Sequence, residues 1–591
     1  MKIKRLSLFL ALVMILSAFA GTFTISAEGE AAPATKPWKV GETTYETLAK
    51  AIEAAADGAT IYVTEDATVS GAVPKVLSKT ITIEGVANAE GKYPTIKASA
   101  GMMQVGNNSA DTAAAVTVKN LNYVFEGKET YYDGIFLTSC STLTIENVDF
   151  TSKSNNAVTE SFLRVRANSG DATLSMKDTT ITMTGNTPHA FFFENGKCKA
   201  TFENTTISSM SEPFTKGSAA TATITYVGKN YLNGALNNEV ELDKKAAEQE
   251  YLFRVTDATT ATANEEYYAD FAEAYAAAKA GNGVIYLIAD YTLEDSFALD
   301  ANLTIAAPLG ATATLTVADG KAITHTGATA VTLTLQGVNV KGQVTLAAAD
   351  KIVLEGAGFT MQGGPEATGA TVEYKGVNLI NGELKGTPSA EYTQFHRVAL
   401  VLDGELAIFA HLQAAIDYQG TATGATYYLL ADVGPGHNGG AKTILHDATI
   451  IGKGGSLLLN KGNGYVDLAG TVTFRDLKIQ TVNVYQYYLL GIENNANATV
   501  LLERVDFQID HKAYGGNGFC SIFRLRDETL PMNVTLKDSK ITISATAGQT
   551  ATEDNHAVFN VAKKKSSGTI TLDNTIIDLS QAQKELHLFM E

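Results

Sequence analysis

Arg164 and Arg166 in SFLRVR (161–166), and Arg524 and Arg526 in SIFRLR (521–526), are the side chains of this sequence best suited to holding a ligand. In an extended strand the alternation sends Leu163 and Val165 to one face and both arginines to the other, a basic pair on an otherwise acidic surface. Such a pair can clamp an anionic sugar or another carboxylate bidentately. The plainer reading is a surface ladder, with the arginines pairing to acidic neighbours such as Glu146 or Glu503; exposed ion pairs are common and of small consequence. Tyr131 and Tyr132, and Tyr485, Tyr487 and Tyr488 in the matching place, stand just before corresponding strands. At least one ring of each set faces outward, where it can stack on a sugar, unless the rings fill the core or cover a loop.

Catalytic chemistry is harder to find. His189 and His556 precede apolar runs, and no carboxylate can be placed beside either, so packed or turn histidines are expected. Gly436-His437-Asn438 lies in GPGHNGG (434–440), where clustered glycines mark a connector. No D-x-D-x-D-G calcium loop occurs, so no cofactor is assigned and calcium has no motif to hold it. Cys140, Cys198 and Cys520 make no disulfide framework.

The elements that position these residues come from repetition. VTVKNLNYVF (116–125), TLTIENVDF (142–150), ATLSMKDTTITM (172–183) and ATFENTTI (200–207) share one phrase: alternating apolar residues, a charged or amide pair, then a second apolar run. VTFRDLKI (472–479), VLLERVDF (500–507), VTLKDSKITI (534–543) and ITLDNTII (570–577) repeat it. Asn120, Asn147, Asp178 and Asn204 are 27, 31 and 26 residues apart, enough for one turn of short strands and too long for a hairpin meander. A unit this short buries its apolar face only by stacking on a neighbour, so an all-β solenoid of parallel strands is expected. The Asn or Asp marks a bend that tolerates left-handed geometry, and Gly takes its place in TITIEG (80–85), LTLQGVNV (333–340) and IVLEGAGF (352–359). Two turns of separation put Cys140 and Cys198 beyond bridging distance.

A larger repeat lies over this one. Residues 45–67, 268–291 and 409–433 are versions of a helix-then-strand cassette, with Tyr45, Leu48, Ile52 and Ala55 on one stripe, Tyr268, Phe271, Tyr275 and Ala278 on the next, and Phe409, Leu412 and Ile416 on the third. Each predicts an amphipathic helix of about three turns that heads an array and covers its open end. Shared endings, ATITYVGKNYLNGAL (222–236) and ATVEYKGVNLINGEL (370–384), set boundaries near 240 and 388. The expected organisation is a signal peptide over 1–27, a disordered lead-in over 28–37, and modules over 38–240, 241–388 and 389–591. The third lacks the shared ending, so its last coil is expected to be incomplete, with any anchor beyond Glu591.

Lys2, Lys4 and Arg5 precede an apolar stretch from Leu6 to Ala20 with small-residue cleavage sites, a secretory signal that predicts a secreted or surface location. No later stretch reaches the ~20 apolar residues that cross a bilayer. With 63 acidic against 45 basic residues the formal net charge is −18, and no basic stripe favours nucleic acid.

The AIEAAADGATIYV opening followed by TITIEG and LTIENVDF coils resembles the right-handed parallel β-helix, pectin-lyase-like secreted and surface proteins of Gram-positive, clostridial-type bacteria. The resemblance implies three tandem helix-headed β-helix modules. It is shared by lyases, hydrolases and adhesins, and so does not choose an activity. The N-T-D, D-D and G-H-G strings of the fold's hydrolases are missing. A non-catalytic, adhesin-like rod contacting extracellular polysaccharide, matrix or a host surface is therefore expected, with a polysaccharide lyase or glycoside hydrolase, or a passive spacer, as alternatives.

Overall fold

The computed structural model describes residues 36–590 apart from position 71 and the segments 99–100, 108–112, 126–133, 153–160, 184–188, 210–212, 237–238, 257–264, 435–442, 461–465, 483–488, 493–496, 511–519, 526–530, 545–555, 562–567 and 581–585. The chain is mostly β, with long parallel sheets.

The strand Thr142–Ser152 shows how the recurring phrase folds. Leu143 and Ile145 are buried, the alternation breaks at Glu146 and Asn147, and Val148 and Phe150 resume it facing inward. The break is a single left-handed residue, Asn147, at φ 50°. It turns the strand through a corner and shifts the inward phase by one, so residues three apart point into the same core. Asn120, Asp178 and Asn204 do this at φ 59°, 47° and 50°, and Asp476, Arg504, Asp538 and Asn574 do it again later. Asn and Asp tolerate this region because their short polar side chains bond locally. Gly337 and Gly356 take the position at φ 64° and 62°, as expected. Gly85 does not have a left-handed φ; a Cβ there would lie 1.9 Å from the Asn120 carbonyl oxygen, so close backbone approach is what requires glycine.

Successive phrases pair in parallel and in register. Ala59–Val63, Thr80–Gly85, Ala115–Phe125, Thr142–Ser152, Ser161–Lys177, His189–Glu203 and Ala220–Val227 form one such series. Val284–Leu287 to Thr371–Lys375 form a second, and Ala425–Leu429 to Ile570–Asp573 a third. Among the described residues no strand pairs across 237–252 or 386–397, so three groups of sheets follow one another, each around its own apolar cluster.

Polar ladders on the outside hold the register. Bend amides bond from rung to rung: Asn147 Nδ2 donates to Asn120 Oδ1 at 2.9 Å, Asn204 to Asp178 at 3.2 Å and Asn574 to Asp538 at 2.6 Å. Just before the bends, charges alternate in sign over consecutive rungs, Glu84, Lys119, Glu146, Lys177 and Glu203 in the first group and Arg475, Glu503, Lys537 and Asp573 in the third. A one-residue slip would lose this pattern together with the buried face. Glu503 pairs within this ladder with Arg475, Arg504 and Lys537, and Glu146 stands between Lys119 and Lys177. Lys177→Glu would set three acidic rungs in a row, and a lower Tm that recovers in high salt is expected in thermal melts.

The ends of the groups differ from expectation. Each group begins with an antiparallel hairpin: Trp38–Val40 with Thr43–Tyr45, Phe253–Thr256 with Glu265–Tyr268, and Val398–Leu402 with Glu405–Phe409. The first strand of each also pairs antiparallel with the first strand of the parallel series, so the hairpin, not the helix, satisfies that edge. The helices Leu48–Ala54, Phe271–Gly281 and Leu412–Gln419 follow, two of them shorter than three turns, and bury Leu48 and Ile52, Phe271 and Tyr275, and Leu412 and Ile416 in the cores. Tyr45, Tyr268 and Phe409 belong to the hairpins. The first and second groups close on further hairpins, turned at Asn233-Gly234 and Asn381-Gly382, whose left-handed φ pairs suit this dipeptide.

Two helices not read from the sequence, Glu239–Glu248 and Ala390–Phe395, link the groups. Glu239 and Asp243 of the first meet the fully buried Arg254 of the second group's hairpin, whose guanidinium also lies 4.0 Å from the Tyr286 ring centre. The third group's hairpin lies against the second group's flank. There Asn339 donates to the Leu406 carbonyl at 3.1 Å and accepts its N–H at 2.9 Å, and Glu405 bonds both Lys341 and Thr314. The groups are packed side against side at this joint, a departure from an end-to-end stack. No helix among the described residues is long and apolar enough to cross a membrane.

Candidate functional site

The outward row of the first group carries Gln104, Phe136, Arg164, Phe192 and Thr215 on five successive rungs. Leu163 and Val165 are buried and both arginines are half-buried, as the alternation requires. What the sequence did not reveal is Glu194. The pairing slips between Val165 and Arg166, which oppose Phe193 and Asn195, and this bulge leaves Glu194 as the extra residue. A bulge re-aims a side chain. Here it inserts the carboxylate between the guanidinium groups: Arg166 donates from Nε at 2.7 Å and from Nη2 at 2.6 Å, and Arg164 donates from Nε at 2.8 Å.

The arginine clamp is therefore filled by a carboxylate of the same chain. Partial burial of Glu194 opposes ionisation, but the hydrogen bonds from Arg166 and Arg164 outweigh it and hold its carboxyl below the usual glutamate range. A depressed folded-state value means that the pair's stabilisation is present above the unfolded glutamate pKa and lost as pH falls through the folded one. Glu194→Gln is accordingly expected to flatten the acid limb of a stability-versus-pH curve; an unchanged limb would show that the pair is energetically idle.

Aromatic rings flank the cluster. The Arg164 guanidinium lies 5.4 Å from the Phe192 ring centre, and that of Arg166 lies 5.4 Å from that of Phe136. Both rings are half-buried and face outward. They take the part assigned to Tyr131 and Tyr132, which lie outside the described residues, as do Tyr487, Tyr488, Arg526 and the GHN of 436–438. The signal for them was present: in GIFLT and HAFFFEN the strand period leaves Phe136 and Phe192 outward when their neighbours go in. The site thus offers a flat patch of two aromatic faces and two arginines sharing one carboxylate.

The third group is not a copy of it. Its outward row runs Asp467, Gly491, Arg524 and Asn560, with no aromatic ring. His189 pairs with Ser161, whereas His556 pairs with Cys520, one residue earlier than the sequence alignment places it, so Asn560 stands where the first group has Phe192. His189 is buried.

Buried titratable groups elsewhere are held within the fold. Asp350, fully buried, accepts His325 Nδ1 at 2.7 Å and the N–H groups of Val331 and Ala347, a clasp absent from the sequence reading. Cys140 and Cys198 are unbridged, and burial pushes the Cys198 thiol up to about 12, where it is inert. Among the described residues no three His, Cys, Asp or Glu side chains gather as a metal site.

Together these observations define a mostly β protein on parallel sheets with an arginine–aromatic patch on one outer row. No family model, curated protein or solved structure matches the chain.

Proposed function

We propose that the chain is a secreted or cell-surface, non-catalytic protein, adhesin-like in character, made of three tandem right-handed parallel β-helix modules over 38–240, 241–388 and 389–591. It belongs by this reading with the pectin-lyase-like proteins of Gram-positive, clostridial-type bacteria and contacts glycan or matrix through its lateral face. The architecture is supported by in-register parallel strands returning at each bend and by an apolar cluster of its own within each group, with a smaller fourth cluster at the joint of the second and third.

The observation that carries the function is the patch of Phe136, Arg164, Arg166 and Phe192. Ring faces half-exposed on a rigid sheet suit stacking on the apolar face of a sugar, at little entropic cost. Contact is favoured over catalysis because the carboxylate there, Glu194, is held by three charge-assisted hydrogen bonds and is kept ionised.

The test is the purified chain on a polysaccharide and glycan array, assayed in parallel for unsaturated uronates and new reducing ends. Retention without product is expected. Product formation would overturn the non-catalytic reading, and retention on no glycan would overturn the contact reading.

A further inference from the structure

The last turn of the third group is built unlike the ends of the other two. Its strands Ile570–Asp573, Ile576–Asp578 and Leu586–Met590 pair with the turn before them and, among the described residues, with no strand beyond. Two core columns come to the surface here. Leu502 and Leu536 are fully buried, but Leu572, next in the same column, is 42% exposed. Phe523 and Phe559 are fully buried, but Phe589, its ring centre 5.4 Å from that of Phe559, is 54% exposed. In the first group the matching end is covered: Phe202 lies buried beneath Ala220–Val227, and the closing hairpin buries Leu232 and Leu236. An uncovered strand edge that carries apolar side chains is a template for another strand.

We infer that this end is the interface of a two-fold dimer, covered by the same end of a second copy of the chain. The start of another copy is the wrong surface for it. Where the third group's first hairpin presents Ala399, Ile408 and Leu430 to a joint, the first group has Lys39, Thr44 and Thr64 in the corresponding places. The end's own sequence, by contrast, is self-complementary. A two-fold axis across the stack reverses strand direction, so the two edges meet antiparallel. Centred on Thr571, it sets Leu572 opposite Ile570 of the second copy, both on the core side, and Thr571 opposite its own counterpart on the outside. Charge agrees with this register. Asp573 ends its strand and so falls opposite Thr569 of the second copy, not opposite another acid. A further parallel rung would instead need a base against Asp573, the part Lys537 plays on its other side. Three short strands make a small interface, so a dissociation constant in the micromolar range is expected. The inference is independent of the glycan reading, whose patch lies in the first group.

The experiment is sedimentation velocity on the full chain from sub-micromolar to several hundred micromolar, comparing wild type, Leu572→Lys, Phe589→Lys and Tyr62→Lys, each checked by far-ultraviolet circular dichroism. Wild type is expected to pass from monomer to dimer and no further. Each of Leu572→Lys and Phe589→Lys is expected to weaken the dimer at least tenfold, because a lysine would be brought against the apolar end of the other copy. Tyr62→Lys, at the half-exposed start of the first group, is expected to leave it unchanged. Thr571→Cys places a thiol on the proposed axis, and mild copper–phenanthroline oxidation is expected to join two chains through it, as read on a non-reducing gel against wild type. That result decides the matter if the lysine variants fail to fold. A wild type that stays monomeric throughout would overturn the proposal, as would a dimer undiminished in both lysine variants or a Thr571→Cys variant that does not cross-link. Species that grow beyond the dimer, or a dimer lost in Tyr62→Lys, would overturn it in favour of head-to-tail association.

Discussion

Arg254→Met is expected to lower the free energy of unfolding by about 3–5 kcal/mol, the usual result of removing one partner from a buried ion pair. Arg254 has no solvent exposure, donates to Asp243 at 2.7 Å, lies 3.7 Å from Glu239 and covers Tyr286. Both acids are buried on the linking helix Glu239–Glu248, so the change strands negative charge between the first and second groups. The cost arises from desolvated charge, and a variant that also replaces Glu239 and Asp243 by apolar residues of similar size is expected to recover most of it. Urea titration followed by circular dichroism gives the comparison. An unchanged midpoint for Arg254→Met would show that the linking helix is not anchored there.

Phe191→Ala is expected to cost a similar amount, about 3–5 kcal/mol, for a different reason. Phe191 is fully buried in the first group, with ring centres of Phe162, Phe202 and Phe214 at 5.9, 5.3 and 5.2 Å. Phe162 and Phe214 come from the turns before and after, and Phe202 from the far end of the same strand, all held by the parallel backbone, so the space left behind cannot close by one side chain moving. The lost transfer energy is then joined by the cavity term. A loss below about 1 kcal/mol in the same titration would mean that the stack relaxes around the gap, contrary to the ladder-held rungs described above.

The sequence disclosed the parts of the fold that depend on local chemistry. Asn147 and its counterparts could be placed at bends because few residues accept a left-handed φ, and Arg164 and Arg166 could be placed outward because the strand period is two. The starting hairpins were not legible, since WKV and FRVT are too short to show a period. The Asn233-Gly234 and Asn381-Gly382 turns do carry a signal, since Asn-Gly within the two shared endings suits a two-residue hairpin. Glu194 escaped for a sharper reason: a bulge adds one residue to a strand without altering composition, and so re-aims a side chain with no sequence mark.

The measurement that bears most directly on the proposed function is the affinity of wild type and of the Phe136→Ala/Arg166→Ala variant for whichever immobilised glycan retains the chain. Phe136→Ala removes a stacking face, and Arg166→Ala removes the guanidinium that covers it and bonds Glu194. The account predicts at least a tenfold loss at an unchanged fold, judged by far-ultraviolet circular dichroism. Equal affinity of the two proteins on every retained glycan would contradict it.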